Sequence, residues 1–212
     1  MSQINSKLRS MKMSDTKVFD FQSADIEKKL ESMSVQNIEK EISLLVKAIK
    51  VALIARGEMM ATAESCTGGL VASSIVNEAG SSAVLAGGIV AYQNEIKEKL
   101  LGVSHETLEQ FGAVSEQTVK EMSAGALRQF GCNWAVSTSG IAGPGGAVPG
   151  KPVGTVWMSI SWISGNNCLQ NDSFCKIFLG DRLKVRVQTV YIVLGKLLFL
   201  INNQKSTCTS EH

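Results

Sequence analysis

Histidine is nearly absent from this 212-residue chain: His105 and His212 are the whole supply, far apart and with no spacing partner. The common histidine-based metal sets are therefore missing, and no cluster of carboxylates replaces them, so neither a metal nor another cofactor is expected. The same scarcity turns the search for a base, should the chain carry a nucleophile, away from imidazole. Cysteine is no substitute. The five cysteines (66, 132, 168, 175 and 208) form an odd set without a C-x-x-C pair, which argues for reduced thiols in a cytoplasmic protein rather than disulfides or a zinc site. Charge of one sign is also lacking. The net charge is +2, with no basic run interleaved with aromatics, so neither nucleic acid nor an anionic membrane is an expected partner. The longest apolar stretch, Val190 to Ile201, is too short to span a bilayer and carries Lys196 in its middle. The polar start of the chain shows no secretory leader.

What remains is an ordinary globular composition, 44% hydrophobic and 19% charged, long enough for one domain with a sizeable core. Residues 1–34 are polar, without clear periodicity, and read as a disordered or loosely ordered extension whose deletion is expected to leave activity intact. Residues 35–204 form the domain and 205–212 a flexible tail. Ile38, Ile42, Leu45, Ile49 and Leu53 follow helical spacing and Gly57 closes the helix. A strand over Met59–Ala63 leads into a helix over 68–78. Ala86–Tyr92 is a second strand, followed by a short helix that Asn94 caps and that ends near Gly102, and by a further turn over Thr107–Phe111. Ser115 caps a helix that Gly131 stops, and Trp134–Ser139 is the third strand. Residues 140–154 hold six glycines and all three prolines, the punctuation of a long shaped loop. Residues 155–163 and 169–179 alternate around Gly165-Asn166-Asn167 as an antiparallel hairpin, and Asp181 opens a last helix running to about Asn202. Strands separated by helices pair in parallel and a hairpin pairs antiparallel. The fold class is therefore α/β: a three-layer α/β/α arrangement with a mixed sheet of about five strands.

Ser65 stands out within Glu64-Ser65-Cys66-Thr67-Gly68-Gly69. A hydroxyl at a strand–turn–helix junction is expected to be exposed and to face the free N–H groups of a helix start, which favour anions; its plainer reading is a helix cap. The turn is neither a phosphate-binding Walker loop nor a G-x-S-x-G elbow. Lys97, one turn into the helix after Tyr92, becomes a base if burial depresses its pKa; otherwise it belongs to a solvated helix face. Tyr92 is placed to relay a proton or to orient the lysine, or else is a core tyrosine. Ser139, Gly140, Ala142 and Gly143 lie at the carboxyl end of the third strand, where α/β proteins place ligands. Arg182 offers a fork for a carboxylate or phosphate. Cys66 reads as a packed, inert thiol.

Taken together, Thr62-Ala63-Glu64-Ser65-Cys66-Thr67-Gly68-Gly69, Gly80-Ser81-Ser82, Tyr92-Gln93-Asn94-Glu95-Ile96-Lys97, Gly112-Ala113-Val114-Ser115-Glu116, Ser139 to Gly146, Lys151 to Val156 and Phe178 to Arg182 with Val185-Arg186 resemble the CinA C-terminal domain family over residues 36–203. The resemblance implies a three-layer fold and a metal-independent nicotinamide-nucleotide amidase of Ser-Lys type. In that reading Ser65 is the nucleophile, Tyr92 and Lys97 activate it, and backbone N–H groups near Thr67, Gly68 and Gly69 hold the oxyanion. The substrate would be a small nucleotide, nicotinamide mononucleotide. Its contacts are sought among Thr67–Gly69, Ser81, Ser82, Asn94, Ser139, Gly140, Ala142, Gly143 and Arg182. Gln93 stands where many relatives have Ser. The N-terminal domain of longer relatives has no counterpart in the 35 or so polar residues here. A non-catalytic nucleotide-binding regulator of the same fold, tied to competence or DNA damage, is the alternative. The hairpin's outer edge leaves room for a homodimer.

Overall fold

The structure, a computed structural model, describes residues 24–164 and 167–204. Helix α1 (Ala24–Ser32) precedes the long α2 (Val35–Arg56); β1 (Met60–Glu64) and α3 (Leu70–Val76) follow, then a 3-10 turn (Ser81–Ala83), β2 (Leu85–Val90), α4 (Asn94–Leu101), α5 (His105–Phe111) and α6 (Glu116–Phe130). Strand β3 (Trp134–Gly140), the hairpin β4 (Thr155–Ile163) and β5 (Leu169–Ile177), and α7 (Arg182–Asn203) complete the chain. Local chemistry sets most boundaries. Ser34, Ser104, Ser115 and Asp181 each cap a helix by accepting from the backbone N–H three residues on. Gly57 and Gly131 end α2 and α6 in the left-handed conformation.

The five strands lie in the order β2-β1-β3-β4-β5. β1 pairs in parallel with β2 and β3, whereas β3–β4 and β4–β5 are antiparallel, giving the mixed sheet expected from the sequence. Strand β4 shows how the two faces are told apart. Val156, Met158, Ile160 and Trp162 join the core shared with α2, α3 and α7, while the alternate Ser159 and Ser161 turn to α6 and hydrogen-bond Ser123 at 3.0 and 2.8 Å. The α6 face is lined by small groups, Ala63 and Ala135 among them, and on it α6 packs closely against α4. A Cβ on Gly125 would sit 1.8 Å from the Leu101 carbonyl oxygen at the end of α4.

Two expectations change. The segment 24–34 does not lack structure: α1 forms because Ile26 and Leu30 bury in the main core, and Lys184 Nζ donates to the Glu31 carbonyl at 2.7 Å. Residues 1–23, the hairpin residues Gly165 and Asn166, and the tail 205–212 lie outside the described residues. The apolar C-terminal helix is 22 residues, long enough to cross a membrane, but 78% of its most apolar stretch is buried inside the fold. Its Lys196 pairs with Asp172 at 2.8 Å. At the amino end of β1, buried Glu58 accepts from Arg56 Nε and Trp134 Nε1, both at 2.7 Å, and Arg56 also donates to the Ile201 and Gln204 carbonyls that end α7.

Candidate active site

Strands β1, β2 and β3 are parallel, so their carboxyl ends share one edge, and α3 and α4 leave that edge toward opposite faces of the sheet. Such a divergence opens a crevice. A cavity of about 200 Å³ occupies it. Ser65 and Cys66 come from the end of β1, Tyr92 from the end of β2, Lys97 from α4, Ser139, Gly140 and Ala142 from β3 and the loop after it, Ala113 and Val114 from the α5–α6 connection, and Arg182 from the start of α7.

Ser65 is held through its backbone. Its N–H donates to Thr138 O at 2.9 Å, and its carbonyl accepts from Gly68 N at 3.1 Å. The hydroxyl makes no hydrogen bond among the described residues, and the residue is 8% exposed, not open to solvent as its turn position suggested. Nor is it a helix cap: that position falls to Gly69, in the left-handed conformation. Lys97 is buried, with 1% exposed. Its Nζ donates to the backbone carbonyl of Tyr92 at 3.0 Å. Desolvation lowers its pKa from the ordinary 10.5, opposed by the nearby Cys66 thiol. Burial pushes the Cys66 thiol up to about 12, so Cys66 stays protonated beside the serine and is a poor nucleophile.

Tyr92 is not a core residue. It is 60% exposed, and its hydroxyl accepts from Arg182 Nη2 at 3.1 Å rather than meeting the lysine. Arg182 also donates through Nη1 to Gly143 O at 2.8 Å, joining α7, the β2–α4 turn and the glycine loop at the cavity mouth. Arg182 is the first residue of α7 and directly follows the Asp181 cap, whose carboxylate accepts from Lys184 N at 2.8 Å. Ser139, at the cavity wall, donates to Ala113 O at 2.7 Å, which fixes the α5–α6 connection against β3.

Several residues singled out from the sequence do not line the cavity. Thr67 is fully buried, its hydroxyl between Glu64 Oε2 and Thr138 Oγ1, each at 2.7 Å. Gly68 and Gly69 shape the turn, and the Gly68 N–H is already used by Ser65 O. The first N–H groups of α3 are taken as well, by the Glu64 carboxylate, which accepts from Val71 N at 3.0 Å and Ala72 N at 2.9 Å. The anion favoured by this helix start is thus a side chain of the protein. Ser81 ties its own loop by donating to the Ile75 and Glu78 carbonyls, Ser82 is exposed, and Asn94 is not the cap of α4 but its exposed first residue, the cap position falling to Gln93. Conversely, Ala113 and Val114, named in the sequence only within a motif and not as site residues, line the cavity without chemistry of their own, and the Arg186 guanidinium donates to Thr67 O at 2.6 Å. No backbone bond among the described residues occupies the N–H of Cys66 or Ala142, both at the cavity wall. Among the described residues no three His, Cys, Asp or Glu side chains are grouped as a metal set.

These features define a class: a three-layer α/β/α protein with a buried lysine and an unengaged serine hydroxyl in one crevice at the carboxyl edge of its parallel strands. The chain belongs to the CinA C-terminal domain family, whose model matches residues 43–201. It is 48% identical over 160 residues to a protein of Enterobacter agglomerans named nicotinamide-nucleotide amidohydrolase PncC, covering 76% of this chain and 95% of that one. A CinA-like protein of Mycolicibacterium gilvum is 52% identical over 148 residues, but those span only 34% of that longer protein and 70% of this chain. Among solved structures, the competence damage-inducible protein A of Klebsiella pneumoniae superposes with a TM-score of 0.73 at 36% identity, covering 77% of this chain and 99% of that one. A competence/damage-inducible protein of Agrobacterium tumefaciens gives 0.71 at 40% identity, covering 77% and 96%.

Proposed function

We propose that this chain is an amidohydrolase that converts nicotinamide mononucleotide to nicotinic acid mononucleotide and ammonia through an acyl-enzyme on Ser65. The observation that carries the reading is the shared cavity of Ser65 and Lys97, with the amine desolvated so that its pKa is lowered toward the working range of a base. Near-complete coverage of the relative named PncC supports the substrate.

The neutral Lys97 amine takes the Ser65 hydroxyl proton as the oxygen attacks the carboxamide carbon. The oxyanion falls to the N–H groups of Cys66 and Ala142 at the cavity wall, in place of the turn at Thr67–Gly69, which does not line the cavity. The C–N bond breaks as Lys97 returns the proton to the leaving nitrogen, releasing ammonia. Water then attacks the ester, Lys97 again serving as base, and yields the carboxylate and free Ser65. The pyridine carboxamide end enters the cavity, and the phosphate lies toward Arg182 at its mouth, where a fork donor matches phosphate oxygens. A cytoplasmic setting suits the free thiols of Cys66, Cys132 and Cys175.

The test is ammonia release from nicotinamide mononucleotide by wild type, Ser65→Ala and Lys97→Ala, with EDTA present throughout. The expected result is metal-independent turnover that each substitution reduces by about 10³-fold or more, the range of a lost nucleophile or base. Absent turnover with nucleotide binding retained would instead favour the non-catalytic nucleotide-binding regulator.

A further inference from the structure

Glu64 is a buried carboxylate that the proposed chemistry does not use. It is 1% exposed, and no lysine or arginine forms a salt bridge with it among the described residues. Burying a carboxylate is costly unless its oxygens are satisfied by donors. Here three donors converge: Thr67 Oγ1 at 2.7 Å, Val71 N at 3.0 Å and Ala72 N at 2.9 Å. Thr67 lies within the turn that begins at the next residue, Ser65, and Val71 and Ala72 lie beyond it. The side chain therefore reaches forward over Ser65–Gly69 and closes that turn onto the first residues of α3.

The hydrogen-bond directions are fixed. An ionised carboxylate only accepts, so Thr67 gives it its single hydroxyl proton and must in turn accept from Thr138 Oγ1, 2.7 Å away. Thr138 also supplies, through its carbonyl, the acceptor for Ser65 N. Side chains and backbone thus hold the same turn from β3 on one side and from α3 on the other.

We infer that Glu64 is the positioning residue of this site: its carboxylate acts as the internal anion of α3 and aims the Ser65 hydroxyl into the cavity, without touching substrate. This inference rests on the reading of Ser65 as nucleophile. It requires the charge as well as the shape. Glutamine matches glutamate in size, but its NH2 would face an N–H or O–H donor wherever it turned, leaving buried donors opposed.

The experiment measures the rate at which a fluorophosphonate probe acylates Ser65, followed by intact-protein mass, together with the kcat and KM for nicotinamide mononucleotide and the Tm. Variants are Glu64→Gln, Thr67→Val and Thr67→Ser. The expected result is labelling of Glu64→Gln slowed by about 100-fold, the scale of a roughly 1 Å misplacement, with kcat falling in parallel and KM within about threefold. Thr67→Val slows labelling while Thr67→Ser, which keeps the donor, restores it; this pair decides the matter should Glu64→Gln not fold. Labelling of Glu64→Gln or Thr67→Val at the wild-type rate, or a wild-type Ser65 that the probe does not label, overturns the inference. Normal wild-type labelling without turnover of the nucleotide strikes the substrate assignment alone, and the labelling rates then still decide the role of Glu64.

Discussion

The Lys97 amine is bonded to the backbone of Tyr92 and not to its hydroxyl: Nζ donates to the Tyr92 carbonyl at 3.0 Å, while the phenol oxygen, on the exposed side of the same residue, meets Arg182 at 3.1 Å. A carbonyl accepts from the amine whether it is charged or neutral. The contact therefore fixes where the nitrogen sits without fixing its protonation, which burial governs.

The pH dependence of turnover follows. Desolvation lowers the Lys97 pKa, so kcat/KM should rise with pH through a midpoint below 10.5 as the base becomes neutral. Stability should move the same way. Between the lowered folded value and the unfolded value of 10.5 the unfolded chain binds more protons, so stability rises with pH across that window and is penalised in full below it. Lys97→Met should therefore be inactive, have a higher Tm than wild type near pH 6, and lose that advantage as the pH approaches 10.5. Thermal melts across pH check this.

Tyr92→Phe separates the two ends of Tyr92. The backbone carbonyl that holds Lys97 is untouched, and only the bond to Arg182 is lost. The expected effect is about tenfold, the scale of one hydrogen bond to a charged group, and it should fall mainly on KM. A loss of kcat near that of Lys97→Ala would instead place the phenol in the proton path.

Removing residues 1–33 should destabilise the domain. It deletes the buried Ile26 and Leu30 and the Lys184 contact to Glu31 O. Two buried aliphatic side chains are worth about 3–5 kcal/mol as an upper bound, so a clear drop in urea midpoint is expected. An unchanged midpoint would show that α1 adds no stability.

Gly125→Ala should be more damaging than its chemistry suggests. The new methyl would meet the Leu101 carbonyl, so α6 and α4 must part. Overpacking of this kind costs about 1–3 kcal/mol or more. Because α4 carries Lys97, kcat should fall together with Tm; a loss of Tm without any loss of kcat would mean that α4 moves without disturbing the amine.

Sequence reasoning succeeded where the signal is local. The alternation in β4, the Ser115 cap and the glycine stops at Gly57 and Gly131 are each decided within a few residues, so the mixed sheet could be read directly. It failed where one side chain decides for others. Thr67, Gly68 and Gly69 look like ligand donors until the Thr67 hydroxyl turns to Glu64 and the Gly68 N–H to the Ser65 carbonyl, and none of the three lines the cavity. Ser81 looks like a loop hydroxyl until it bonds back to Ile75. α1 has too few apolar residues to announce itself and is held by partners in α7 far along the chain. Ala113 and Val114 carry no reactive group, so only the packing of β3 against the α5–α6 connection brings them to the cavity.

Two groups of residues hold the two ends of the sheet. Ser65, Tyr92 and Gly140 close the carboxyl edge, whereas Arg56, Glu58 and Trp134 bind β1, β3 and the end of α7 together at the other. Mutational drift can therefore proceed on two separate fronts: the mouth of the crevice can be retuned toward other amides while the clasp at the far end still ties β1, β3 and α7 together, and a weakened clasp leaves less stability for such retuning to spend.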